Sequence, residues 1–393
     1  MQIGIVKSID VSSTKICLFL SRFWFENSDL TVFQSNPAIE ARRAKDRTFY
    51  TSTAVKIDLC VFWKQCQNWK YSNDCAYLNG IDALKIPKKW RWKLETVCLQ
   101  LLIAILQVLS IKQCVRFCRF MAWLLADVIK FRRKIIHDNI IAVYPDYTPQ
   151  RVSEMTTNMW YHLLMMGCEL AHAPRKIHDS NWRKYVYIRD KVLMTKYLID
   201  YRPLVAVSGH YGNFEMAGYV TGLLGMPSYT IARKLDNDYL NNYVNRFREW
   251  NGQFLLPKNG SAPMVQKILA SGAILTLLGD QHAGNKGCWV DFLGRPASCH
   301  KAVALFTLNG RAPMMVSYCR HTDEPLHFEI GSPGVADPMT MPEELNDVKA
   351  LTQWYNDRMA EVVREDPDQF WWVHRRWKEK PVRRAKKQKA AAA

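Results

Sequence analysis

The chain has no Cys-x-x-Cys pair and no Cys/His ladder at zinc-ligand spacing, although it carries 11 cysteines. Cys114 and Cys118 lie four apart inside an apolar helical pattern. They read as buried small hydrophobes in a reducing compartment, not as disulfide or metal partners. Gly and Pro are modest, at 18 and 17 of 393 residues, which excludes collagen-like and low-complexity chains. There is no repeat at a fixed period, so a solenoid is excluded. The N-terminus lacks a small-residue cleavage site, which argues against a secretory signal. No convincing membrane span is present either. The best candidate, 96–111, is an uncharged run of sixteen residues that includes Gln100 and Gln107, whereas a full span needs ~20. It reads as a short span, an interfacial helix or a core helix, with basic residues on both flanks.

Acidic residues are also in short supply. Asp and Glu number 36 against 54 Lys and Arg, a formal charge of +18. Such an excess suits an anionic partner: nucleic acid, a phosphate-bearing substrate, an acidic carrier protein or a lipid surface. No RNP-like, helix-turn-helix or zinc motif is present, so nucleic acid is not expected. Nine basic residues and one acid, Glu379, crowd into 375–389.

What is present is globular. Residues 1–92 mix polar and apolar positions without sustained period and read as an extension. A helical segment at 93–130 is expected to contact the membrane, a main domain fills 131–380, and a basic tail closes the chain at 381–393. A second helix is expected over 150–170. Short apolar, β-branched runs at 204–208, 274–278, 314–318 and 327–330 read as strands. Helical patterns at 214–224, 237–250, 261–270 and 301–308 separate them. The fold class is therefore α/β, with a parallel-rich central sheet flanked by helices and an N-terminal membrane-associated helix. In such sheets the chemistry sits beyond the carboxyl ends of the strands.

One constellation stands at such an end. The strand 204–208 runs into Gly209-His210-Tyr211-Gly212-Asn213-Phe214-Glu215, where two glycines permit a tight turn and Asn213 suits a helix N-cap. Five residues along one helix amount to ~140° of rotation. His210 and Glu215 are therefore expected to meet only because the loop folds back on the helix. A neutral imidazole is a general base near pH 7, and a carboxylate on its other nitrogen fixes the tautomer. With no Ser or Cys nucleophile in the motif, direct activation of a substrate hydroxyl is the simplest chemistry. Asp280 and Gln281 end the strand 274–278, His282 reads as a solvated loop residue, and Trp371, Trp372 and Trp377 read as core packing mixed with an interfacial belt.

These residues resemble the H-x4-D/E motif of the lysophospholipid acyltransferase superfamily and, more narrowly, the lauroyl/myristoyl transferases of lipid A biosynthesis. Ordered blocks carry the likeness over roughly 97–380. They are Arg132-Arg133 with Asn139 and Tyr144-Pro145; Arg233 with Arg248 and Gly252; Gly279-Asp280-Gln281; the V-x-F-x-G-x-P-A run at 290–297; Gly310 to Pro313; and the closing W-x-H-R-R-x-K at 372–378. The stretch Ser298-Cys299-His300-Lys301 departs from the family's threonine- and glycine-rich pattern, and the first 90 residues have no counterpart.

The resemblance implies acyl transfer from an acyl carrier protein thioester to a hydroxyl of a lipid A precursor, at the cytoplasmic face of the inner membrane. No metal or other cofactor is implied. His210 is expected to act as base with Glu215 orienting it. Main-chain donors near Gly212 and Asn213 are expected to meet the oxyanion, Arg233 and Lys234 to bind phosphate, and Asp280 and Gln281 to contact substrate. The motif concerns the hydroxyl and not its bearer, so a lysophospholipid, glycolipid or amino-acid lipid acceptor fits it as well. A catalytically dead scaffold is a further alternative, against which the intact motif speaks.

Overall fold

The computed structural model describes residues 87–200, 202–258 and 260–378. The expectations for 1–86 and for the basic tail lie outside the described residues.

The uncharged run does not form one helix. Helix α1 (Lys88–Val108) stops where Leu109 turns extended. Ser110 then caps α2 (Ile111–Trp123) in a reciprocal capping box with Gln113. A π turn at Leu124–Val128 leads to α3 (Arg133–Val143) and the long α4 (Pro149–Lys176), which Thr148 caps and which outruns the expected 150–170. Leu106, Cys114 and Cys118 pack on Met165, Cys168 and Ala171 of α4, so the segment expected at 93–130 begins earlier and is fastened to the main body. Among the described residues, no helix is long and apolar enough to cross a membrane. On α1, however, Trp90, Leu94, Val97, Leu101, Ile105 and Val108 recur at three- and four-residue steps, and all stay exposed.

The remaining elements are β1 (Val186–Ile188), α5 (Lys191–Leu198), β2 (Leu204–Ser208), α6 (Phe214–Leu223), β3 (Ser228–Ala232), α7 (Asp238–Trp250), β4 (Gln253–Pro257), α8 (Ala262–Ala270), β5 (Ile274–Leu278), β6 (Cys288–Phe292), β7 (Arg295–Cys299), α9 (Ala302–Gly310), β8 (Met314–His321), β9 (Phe328–Ala336) and α10 (Val348–Glu365). Seven strands form one sheet in the order β1-β9-β8-β2-β5-β3-β4. β8, β2, β5, β3 and β4 run parallel, while β9 is antiparallel to β8 and carries β1 in its own direction. The α/β, parallel-rich architecture is as expected. The strands β1, β3 and β4 and the β6–β7 hairpin are additional. The hairpin turns on Leu293-Gly294, both at positive φ, which matches a two-residue turn to the twist of its strands. Central β2 is almost wholly buried, as befits a parallel strand with helices on both faces.

Candidate active site

Strand register sets the site. Ser208 of β2 is level with Leu278 of β5, so His210 and Asp280 emerge side by side, two residues beyond their strands. His210 is 9% exposed and Asp280 only 3%. Nδ1 of His210 lies 2.7 Å from Oδ1 of Asp280, and the His210 main-chain N–H donates to Oδ2 at 2.8 Å. Phe214, Trp371 and His374 wall the ring, with centroids 5.1, 5.0 and 5.0 Å away.

The orienting carboxylate therefore differs from expectation. Glu215 lies in the first turn of helix α6, where its side chain turns toward α7 and pairs with Arg248, whose Nε donates to Oε2 at 3.2 Å. A residue in the first turn of a helix points along its own spoke, and Arg248 occupies that spoke. Asp280, read from sequence as a substrate contact, takes the place at His210. Burial works against a charged imidazole, but the Asp280 carboxylate, by charge and hydrogen bond, and Glu215, by charge alone, raise its pKa above the ordinary value. Burial likewise opposes the Asp280 anion, yet His210 and the Arg376 guanidinium hold its pKa down at about 2.

The loop between strand and helix is tightly clamped. Gly212 has φ of +54°, and a Cβ there would lie 2.2 Å from the Cys319 carbonyl oxygen, so no other residue fits. Its N–H donates to the Gln369 carbonyl at 3.1 Å and that of Asn213 to the Cys319 carbonyl at 2.9 Å. These two groups are thus not free for an oxyanion, contrary to expectation, because β8 and the segment after α10 already accept from them. The Asn213 side chain is fully buried and caps α6 by accepting from Met216 N–H. Gln281 is exposed, and its Nε2 lies 3.3 Å from Nε2 of His210, the nitrogen turned away from Asp280. Behind the pair, a cavity of about 10 Å³ lined by Ser208, Tyr211, Asp280 and Phe292 has room for one water molecule at most.

Arg233 and Lys234 follow β3 on the same edge of the sheet. Both are exposed, in i,i+3 and i,i+4 ion pairs with Asp236 and Asp238. Nearby Asn237 donates to the Trp92 carbonyl at 2.9 Å and to Glu95 at 3.0 Å, tying α1 to this loop.

Sequence blocks that are remote along the chain converge here. Asn139 of α3 donates to the carbonyls of Trp372 and His374, each at 2.7 Å, and Arg132 donates to that of Val373 at 3.2 Å. Arg376, 2% exposed, donates to the Ser298 carbonyl at 2.9 Å and to the Gln281 carbonyl at 3.4 Å. Trp372 is buried and stacks on Trp377, while Trp371 lies against His210, so the tryptophans serve the core and the site wall. His282 is half-buried beside Trp289 and is not a solvated residue. Glu169, His321 and Gln369 were not singled out from sequence. They sit in unremarkable local patterns and meet only in the fold. Among the described residues no cluster suits a metal ion.

A His–carboxylate pair at the carboxyl edge of a parallel sheet, with the second ring nitrogen beside the exposed Gln281, has the geometry to take a proton from a hydroxyl. The family of bacterial lipid A biosynthesis acyltransferases matches residues 83–379, and the chain belongs to it. The chain is 23% identical over 260 residues to the lipid A biosynthesis palmitoleoyltransferase of Escherichia coli (strain K12), covering 65% of this chain and 81% of that one. The lipid A biosynthesis acyltransferase of Shigella flexneri matches to the same extent, 23% over 260 residues. Among solved structures, the 1-acyl-sn-glycerophosphate acyltransferase PlsC of Thermotoga maritima aligns over 69% of this chain and 100% of its own, at 10% identity and a TM-score of 0.35.

Proposed function

We propose that the protein is a membrane-associated O-acyltransferase that moves a fatty acyl chain from an acyl carrier protein thioester to a hydroxyl of a lipid A-type precursor, with His210 as general base and Asp280 as its orienting partner. The observation that carries this reading is the His210–Asp280 pair, with Nδ1 bound to the carboxylate and Nε2 opposite it. Nε2 takes the proton of the acceptor hydroxyl. The oxygen attacks the thioester carbonyl, and the tetrahedral adduct collapses. The departing thiolate takes the proton back from the imidazolium, so the base is regenerated without net proton gain. Gln281, exposed beside Nε2, yields its place to the hydroxyl.

Arg233 and Lys234 suit a phosphate on the acceptor or on the carrier's prosthetic arm, since their exposed ion pairs cost little to break. The apolar stripe of α1, rimmed by exposed Lys88, Lys89, Arg91 and Lys93, suits the interface of an anionic bilayer on the cytoplasmic side. Each basic residue near such a surface adds about 1 kcal/mol. Purified protein given labelled acyl carrier protein and a lipid A precursor is expected to yield the acylated lipid, and His210→Ala is expected not to. No product with the wild type overturns the reading. The double variant Leu101→Glu/Ile105→Glu is expected to lose roughly tenfold or more in liposome flotation, as each side chain forfeits its apolar burial. Unchanged flotation removes α1 from the interface.

A further inference from the structure

A second His–carboxylate pair lies buried behind the catalytic loop, and the chemistry above does not use it. Glu169 of α4 is 1% exposed, and His321, at the end of β8, is 8% exposed. His321 Nε2 lies 2.7 Å from Glu169 Oε2. The same carboxylate accepts from Asn213 Nδ2 at 2.9 Å and, through Oε1, from Leu326 N–H at 3.4 Å.

The opposite edge of His321 is also occupied. The Gln369 amide is fixed in orientation, because its Oε1 accepts from the His321 main-chain N–H at 2.8 Å and its Nε2 donates to Asp366 at 2.7 Å. His321 Nδ1 faces that same Oε1 at 3.1 Å. Both ring nitrogens therefore face acceptors, which calls for the imidazolium. His162, whose Nδ1 lies 3.1 Å from His321 Nδ1, is kept neutral by burial and by that cation, its pKa lowered to about 3. Gln369 also binds the loop directly through its carbonyl and Gly212 N–H.

We infer that Glu169, held by His321, is a positioning residue that fixes Asn213, and through it the loop that aims His210 at the acceptor hydroxyl. The link is short and has no slack. Asn213 spends its amide N–H₂ on Glu169 and its amide oxygen on the N-cap, so its rotamer is set from both ends. Three residues back along the clamped loop sits His210. This inference deepens the proposed acyl transfer and rests on it for its kinetic expression, but the loop geometry is observable without turnover.

The test uses the full chain with Glu169→Gln, which keeps an acceptor oxygen for Asn213, and Glu169→Met, which keeps the volume and removes the acceptor. The proton on His210 Nδ1, assigned by its loss in His210→Ala, is followed by NMR of histidine-labelled protein. It is expected to hold its position in the Gln variant, and to shift or broaden in the Met variant. In acyl transfer, the Met variant is expected to lose about 10²-fold in kcat, the cost of a misplaced reacting group, with KM within about threefold, and the Gln variant to lose less than about tenfold. Combining Glu169→Met with Asn213→Ala is expected to add little to the larger single loss, because the two act through one link. Equal spectra for the Gln and Met variants overturn the inference, whether or not the wild type turns over. So does additivity of the double variant. If Glu169→Met does not fold, Asn213→Ala severs the same link from the loop side and is expected to move the same resonance. An unmoved resonance there overturns the inference too. Absence of transfer by the wild type, with the resonance behaving as expected, counts against the acyl-transfer reading alone.

Discussion

His210–Asp280 and His321–Glu169 are alike in their first contact, each a ring nitrogen 2.7 Å from a carboxylate oxygen, both partners buried. They differ in the second nitrogen. That of His210 lies 3.3 Å from Nε2 of Gln281, an exposed side chain. That of His321 is spent on Gln369 and His162 in the interior. A carboxylate raises the basicity of both rings, but a ring whose second nitrogen faces a displaceable surface side chain is the one placed to take a proton from an incoming alcohol. Basicity alone does not make a base; access decides.

The comparison breaks most sharply under substitution of the two rings. His210→Ala is expected to lose about 10²–10⁴-fold in kcat, the usual worth of a general base, with the protein still folded by circular dichroism. His321→Gln, which keeps a donor for Glu169, is expected to lose less than about tenfold. Equal losses would erase the distinction between the open pair and the sealed one.

Glu215 sharpens the contrast further. It acts on His210 by charge alone, while its hydrogen bonds go to Arg248. Glu215→Gln is expected to shift the acidic limb of kcat/KM against pH to lower pH, by less than Asp280→Asn does.

The smallest effect expected is on stability. Burial opposes the charge on both rings, but their carboxylates raise the folded-state pKa of each above the unfolded value. Both pairs then contribute stability that is fully present below about pH 6.5, the unfolded pKa, and is lost as pH rises through the folded value. The melting temperature is expected to fall over that window, and His321→Gln to flatten the fall. An unchanged slope would mean that His321 does not carry the charge its contacts demand.

The local sequence made the His210 loop legible, because a β-branched strand, two glycines and an N-cap residue lie within ten positions. The partner was not legible in that way. Asp280 is 70 residues away, and only the β2–β5 register brings it alongside. Glu215 had a suitable spacing, but spacing does not say which way the first turn of a helix points. The α/β class could be read from β2, β5, β8 and β9, whose apolar runs are strong. β3 (Ser and Thr among its five residues) and β4 (Gln and Pro among its five) lack that signal and owe their place to pairing with each other and, for β3, with β5. The break between α1 and α2 was hidden because an uncharged run masks the Ser110–Gln113 box. Glu169, His321 and Gln369 come from three distant segments, and no pattern in any one of them marks the others.

The most direct test of His210 as a base aimed by Asp280 is the pH dependence of kcat/KM in Asp280→Asn beside the wild type. The wild-type acidic limb should lie above pH 6.5, the ordinary histidine value, and the variant's should move to lower pH with a plateau reduced by about 10²-fold or more. A limb that stays put in Asp280→Asn and moves instead in Glu215→Gln by the larger amount would contradict the account.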